Sequence, residues 1–180
     1  MVICMFMRMN SENSDIFYRN PNAVAKIAGN KDYPDMYGEV KFFRVPLGTI
    51  VVTELFGLPD NHDMCAGNVY GFHIHEHGDC TGNMEDAFAN AGMHFDMEHC
   101  PHPGHTGDMP PLFAFHGYTW NAFYTERFTP DMVIGRSVIV HSQSDDFMTQ
   151  PSGNSGIKIG CGIIEIPAWN SGRPIAPPMR

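Results

Sequence analysis

An all-β domain is the fold class this sequence predicts, and three observations point there. Glycine and proline are abundant, at 18 and 14 residues, and they cut the chain into short pieces. Those pieces are β-branched and aromatic, a composition that suits a pleated, half-buried strand. Apolar periodicity of the helical kind never persists beyond about two turns. At 180 residues the chain is long enough for one domain with a real core, and nothing calls for a second or suggests an internal repeat.

Taken in order, residues 23–27 form the first strand, ended by Gly29-Asn30. Runs 39–45 and 49–56 follow, and Pro46-Leu47-Gly48 between them reads as a hairpin turn. Residues 69–76 make the next strand. Residues 112–125 hold two more, folded about Gly117, and 135–141 and 160–166 complete the set. Two long irregular segments remain, 77–111 and 142–159. Both exceed the roughly 12–15 residues beyond which a structureless loop is unusual and is often functional. Something must order them, and a bound metal would, because its binding energy contributes directly to the fold.

Composition narrows the function. A net charge of −9 argues against nucleic acid or an anionic membrane surface as partner. No apolar run is long enough to span a bilayer. The opening MVICMFMRMN places Arg8 after its apolar stretch and lacks a small-residue cleavage site, so it does not read as a secretory signal, and a cytoplasmic location is expected. Residues 1–20 are read as a variable extension, 21–168 as the domain and 169–180 as a tail. The five cysteines, Cys4, Cys65, Cys80, Cys100 and Cys161, are too few and too odd in number for a disulfide scaffold. One structural pair remains open. Cys65 and Cys100 could form another, or could be buried free thiols.

Histidine carries the chemistry. Seven of the ten histidines lie between Gly71 and Asp108: His73, His75, His77, His94, His99, His102 and His105. Neutral imidazole is the commonest protein ligand for zinc, copper, iron and nickel. In an extended strand alternate side chains share a face, so Phe72 and Ile74 point to the core while His73 and His75 stand together on the outer surface. Parity gives the same result for Ser137-Val138-Ile139-Val140-His141, where Val138 and Val140 face inward and His141 outward. A lone H-x-H is usually two solvated residues. Here it is followed by further ligand types on loop sequence, ending in His102, His105 and Asp108, a carboxylate of the kind zinc accepts. His62, His77, His99 and His116 lack such support and are read as surface residues or as neighbours of the ligands.

At these residues the chain resembles the copper/zinc superoxide dismutases, in their bacterial form. The resemblance runs from about residue 23 to 166 through GFHIHEHGDC, AGMHF, HPGHTGD, IGRSVIVH, SDD and GNSGIKIGCGII. It implies an eight-stranded Greek-key β-barrel or sandwich bearing two long functional loops. It implies copper bound by His73, His75, His94 and His141, and zinc bound by His94, His102, His105 and Asp108, with the His94 ring bridging both. The spacing from His94 to His102 agrees with the family, while the interval from His102 to His105 is shorter than in the animal enzymes and like some bacterial relatives. Asp145 falls where the family has a carboxylate that orients one histidine of each metal. Cys80 and Cys161 match its disulfide.

The activity implied is antioxidant: dismutation of superoxide to dioxygen and hydrogen peroxide. His94 would gain and lose a proton, and a cation would guide the anion. The family usually has arginine at the guiding position, and this chain has Lys158, which keeps the charge but loses the two-pronged donor. Superoxide is then the substrate and a copper chaperone an expected partner, with the protein a monomer or homodimer. The main alternative is a non-catalytic copper/zinc-binding module of the same fold. A zinc hydrolase would need an open coordination position, and this four-ligand zinc set has none.

Overall fold

The computed structural model describes residues 19–60 and 68–168. Cys4, His62 and Cys65 lie outside the described residues, as does nearly all of the expected terminal extensions. Among the described residues nine strand segments occur in order: β1 Ala23–Gly29, β2 Tyr37–Val45, β3 Gly48–Phe56, β4 Val69–Tyr70, β5 Phe72–His75, β6 Leu112–Phe113, β7 Thr119–Thr125, β8 Ser137–His141 and β9 Lys158–Glu165. β4 and β5 are one strand interrupted at Gly71, so the segments amount to the eight strands expected.

Every pairing is antiparallel. The large sheet runs β5-β8-β9-β1-β2-β3-β7, and β4 pairs separately with β6. Its two edges are joined through that small ribbon. β5 continues into β4, β4 pairs with β6, and β6 turns back to β7 across a Phe115–Tyr118 bridge. Thr119 Oγ1 also donates to Phe113 O at 2.8 Å. The sheet therefore closes into a barrel, and the non-consecutive neighbours β5 with β8 and β9 with β1 give it Greek-key topology.

The interior follows from period-two alternation. β1 contributes Ala23, Ala25 and Ile27, β2 Val40 and Phe42, β3 Val51 and Leu55, β5 Phe72 and Ile74, and β8 Val138 and Val140, all in one buried cluster. Each large aliphatic or aromatic side chain so buried contributes roughly 1.5–3 kcal/mol. A second, smaller cluster lies on the opposite face of β8 and β9, where Ile139 and Cys161 pack under Phe88 and Ala91. The disulfide between Cys80 and Cys161 ties the loop carrying Phe88 to β9 over this cluster. Cys100, by contrast, is an exposed free thiol rather than a buried one.

Candidate metal centre

β5 presents one edge to β8 and its other edge to residues 94–109. Ile74 N donates to Gly107 O at 2.9 Å, Phe95 N to Ile74 O at 2.8 Å, and Gly107 N to Phe95 O at 2.7 Å. An exposed strand edge leaves unpaired peptide groups, and here the loop satisfies them. Gly107 is required by this approach, since a Cβ there would sit 2.4 Å from Ile74 O. Two isolated bridges result, His73 with Asp108 and His75 with His94. Residues distant in sequence are thus set directly beside the H-x-H pair. The imidazoles do lie outside the barrel wall, but not on an open surface: His73 is 0% exposed, His75 2% and His141 4%. Strand parity shows which wall a side chain leaves by, and the two loops folded over that wall decide its contact with water.

Two clusters of ligand atoms result. His73, His75, His94 and His141 converge so that one atom from each lies within 4.8 Å of all the others, and His94, His102, His105 and Asp108 do the same. His94 belongs to both. Its Nδ1 faces the second cluster, 2.8 Å from Asp108 Oδ1 and 3.4 Å from His105 Nδ1. His94 Nε2 is buried with no hydrogen-bond partner, as are His73 Nδ1 and His102 Nδ1. Buried polar atoms left unpaired are costly and rare, so three orphaned nitrogens in one site indicate that cations complete it. Asp108 Oδ2 lies 3.1 Å from His102 Nδ1, out of line for a hydrogen bond, and 3.3 Å from His105 Nδ1. Ligands about 2.0–2.1 Å from a tetrahedral zinc stand roughly 3.3 Å from one another, and these separations match.

The opposite nitrogen of each ring is held from outside. Asp145 accepts from His73 Nε2 at 2.8 Å and from His102 Nε2 at 2.9 Å, joining one ring of each cluster through a single carboxylate. His75 Nδ1 donates to Gly92 O at 2.9 Å, and His141 Nδ1 lies 3.5 Å from Gly156 O. Nε2 of both rings is thereby turned inward, and the two atoms are 3.4 Å apart.

Electrostatics keep the site in its metal-accepting form. Burial, helped by neighbouring rings, holds His75 and His141 well below the usual histidine range. Burial also pushes His94 down to about 4 against a hydrogen bond to Asp108 that would raise it. Burial would raise Asp145, but bonds from His73, His102 and the Phe147 N–H outweigh it and hold the carboxyl far below its normal value. His75, His94 and His141 are therefore neutral and Asp108 and Asp145 charged at neutral pH, as metal binding needs.

The register slips between Val140 and His141: Val140 faces Gly160 but His141 faces Lys158, leaving Ile159 as the extra residue. Ile159 turns into the core, fully buried. This bulge brings Lys158 beside His141, on the first residue of β9 rather than in the expected preceding loop.

Comparison with known proteins agrees with this architecture. Residues 36–164 match the family described as copper/zinc superoxide dismutase. The superoxide dismutase [Cu-Zn] of Deinococcus radiodurans is 33% identical over 146 residues, 71% of this chain and 76% of that protein. The superoxide dismutase [Cu-Zn] of Photobacterium leiognathi is 30% identical over 138 residues, 67% of this chain and 79% of that protein. This chain belongs to the copper/zinc superoxide dismutase family. The solved Cu/Zn superoxide dismutase of Brucella abortus has the same fold, with a TM-score of 0.65 at 24% identity, covering 79% of this chain and 99% of that one.

Within this family framework the structure adds residues that the sequence did not single out. Gln150 brackets His102, its Oε1 accepting from His102 N at 3.0 Å and its Nε2 donating to His102 O at 2.7 Å. Gly153, at φ 69°, leaves room for the Asp145 contact, because a Cβ would lie 2.0 Å from Asp145 Oδ1. Arg127 Nη1 reaches the carbonyls of Pro103, His105 and Asp108 at 2.9, 3.1 and 3.3 Å, gathering the loop around the second cluster. Only the glycine left a trace in the sequence, inside the GNSG turn. The remaining histidines stand apart. His77, His99 and His116 are exposed, with His116 Nδ1 3.3 Å from Asp60.

Proposed function

We propose that His73, His75, His94 and His141 hold copper, that His94, His102, His105 and Asp108 hold zinc, and that this centre converts two superoxide anions and two protons into dioxygen and hydrogen peroxide. Copper, when bound, supplies the one-electron couple, and zinc supplies a fixed charge. The single observation that carries the reading is His94, with Nδ1 among one set of ligand atoms and an unpaired Nε2 among the other.

The chain's own residues would divide the work. His94 holds or releases a proton at Nε2, the nitrogen on the cavity side. Asp145 fixes the tautomer and orientation of His73 and His102 together, keeping Nδ1 of each inward. Gly92 O fixes His75 in the opposite sense, holding Nδ1 and leaving Nε2 inward. A cavity of about 780 Å³ opens onto His75, His94 and His141, with Lys158 on its wall. That ammonium would draw a small anion toward the rings.

The proposed functional unit is residues 21–168, with 1–20 and 169–180 as extensions and with monomer or homodimer as its state. Rings enclosed by two loops favour delivery of copper by a chaperone over capture from solution. A cytoplasmic location belongs to the same reading, and recovery of the protein from an exported fraction would overturn it. The function itself is tested by a superoxide assay on protein loaded with copper and zinc. We expect catalytic turnover that His141→Ala reduces by at least about 100-fold, the order of loss when an interaction worth some 3 kcal/mol is removed. Metal binding without turnover in the parent chain would leave a non-catalytic module.

A further inference from the structure

Lys158 is not a free cation. Its Nζ lies 2.8 Å from Asp86 Oδ2 and donates to Phe88 O at 3.1 Å, and the lysine side chain is only 15% exposed. Asp86 is itself fixed. Its Oδ1 accepts from Phe88 N at 3.0 Å, its own N–H donates to Asn83 Oδ1 at 2.9 Å, and its carbonyl accepts from Asn83 N at 2.9 Å. The Cys80–Cys161 bridge then ties this loop to the strand that starts with Lys158. Both partners line the cavity that opens onto His75, His94 and His141. The other charged residues on its wall are Lys31, Asp32 and Glu85, so carboxylates outnumber ammonium groups there.

We propose that Asp86 is the positioning residue that sets the anion affinity of this cavity, holding the Lys158 ammonium in place while cancelling much of its long-range field. The inference rests on the superoxide reading above and deepens it. A lone ammonium attracts an anion with an energy that falls as the inverse of distance. An ammonium and a carboxylate in contact act as a dipole, whose pull fades faster. The pair therefore gives a close-range donor for a small anion already inside the cavity and little attraction from the mouth. An arginine could serve a carboxylate and a ligand at once with its several N–H groups, whereas a lysine engaged by Asp86 and Phe88 O has one donor left.

The test is Asp86→Asn in copper- and zinc-loaded protein, titrated at low salt with azide and followed by the visible absorption of copper. Asparagine keeps Oδ1, which accepts from Phe88 N–H, and puts an uncharged amide where Oδ2 faced Lys158, so the charge and that one acceptor go while Phe88 O still holds the ammonium. Azide should bind roughly threefold tighter, the superoxide association rate should rise by a similar factor, and that rate should fall more steeply with ionic strength. Asp86→Glu, which keeps the charge, should stay near the parent, and the gain should vanish in a Lys158→Gln background. Unchanged or weaker azide binding in Asp86→Asn overturns the proposal, and so does an equal gain without Lys158. Azide affinity needs copper but not turnover. A protein that shows the expected azide series yet dismutes no superoxide would sink the functional reading and leave this inference standing.

Discussion

At the scale of single residues, the site depends on what stands behind each imidazole. Asp145 engages His73 and His102 with its two oxygens, at 2.8 and 2.9 Å, so one side chain supports both clusters. Asp145→Ala would free both rings to rotate and change tautomer, and we expect affinity for both metals to fall by about 10–100-fold, measured by chelator competition. Loss at one metal alone would contradict the shared role. His94 gives a pH prediction. Burial lowers its value to about 4, below the ordinary 6.5 that applies in the unfolded chain. A depressed value means that its contribution to stability is complete above about pH 6.5 and is lost as pH falls toward 4. The metal-free protein should therefore be weaker at pH 5 than at pH 7.5, by on the order of 2 kcal/mol from this group, in urea unfolding. A stability that is flat between those values would show that His94 protonates freely when folded.

Among the elements, β5 and the loop laid along its edge do most to build the site, and the disulfide holds the other covering loop. The bridge closes a stretch with a sequence separation of 81. Removing that cross-link with Cys161→Ser should cost about 4 kcal/mol by the loop-entropy argument, read as a lower denaturation midpoint in the metal-free chain. A loss near zero would mean that the Phe88 and Ala91 packing fixes the loop unaided. Alternation placed Phe72, Ile74, Val138 and Val140 inside and the histidines on the far side of the wall, since the period of two is a local property. Enclosure was not legible, because it depends on backbone hydrogen bonds between Ile74 and residues 95 and 107. Nor was the bulge: Ile159 is an apolar residue at a strand end, and only pairing with His141 shows that it is the extra one. Asp86 and Lys158 are 72 residues apart, and no local pattern couples them.

For the whole molecule, the barrel acts as a rigid wall against which two otherwise irregular loops are ordered, and the site forms where they meet that wall. The cavity opens to solvent on the side of His75, His94 and His141, while His102 and Asp145 are buried behind. The proposed reaction at the first cluster fits the opening on that side. In the proposed function His94 serves two different cations from one ring. Anomalous diffraction from crystals of the metal-loaded protein, recorded at the copper and zinc absorption edges, tests it most directly. We expect a copper peak among His73, His75, His94 and His141 and a zinc peak among His94, His102, His105 and Asp108. A single peak, or two peaks of which either lies out of reach of the His94 nitrogens, would contradict it.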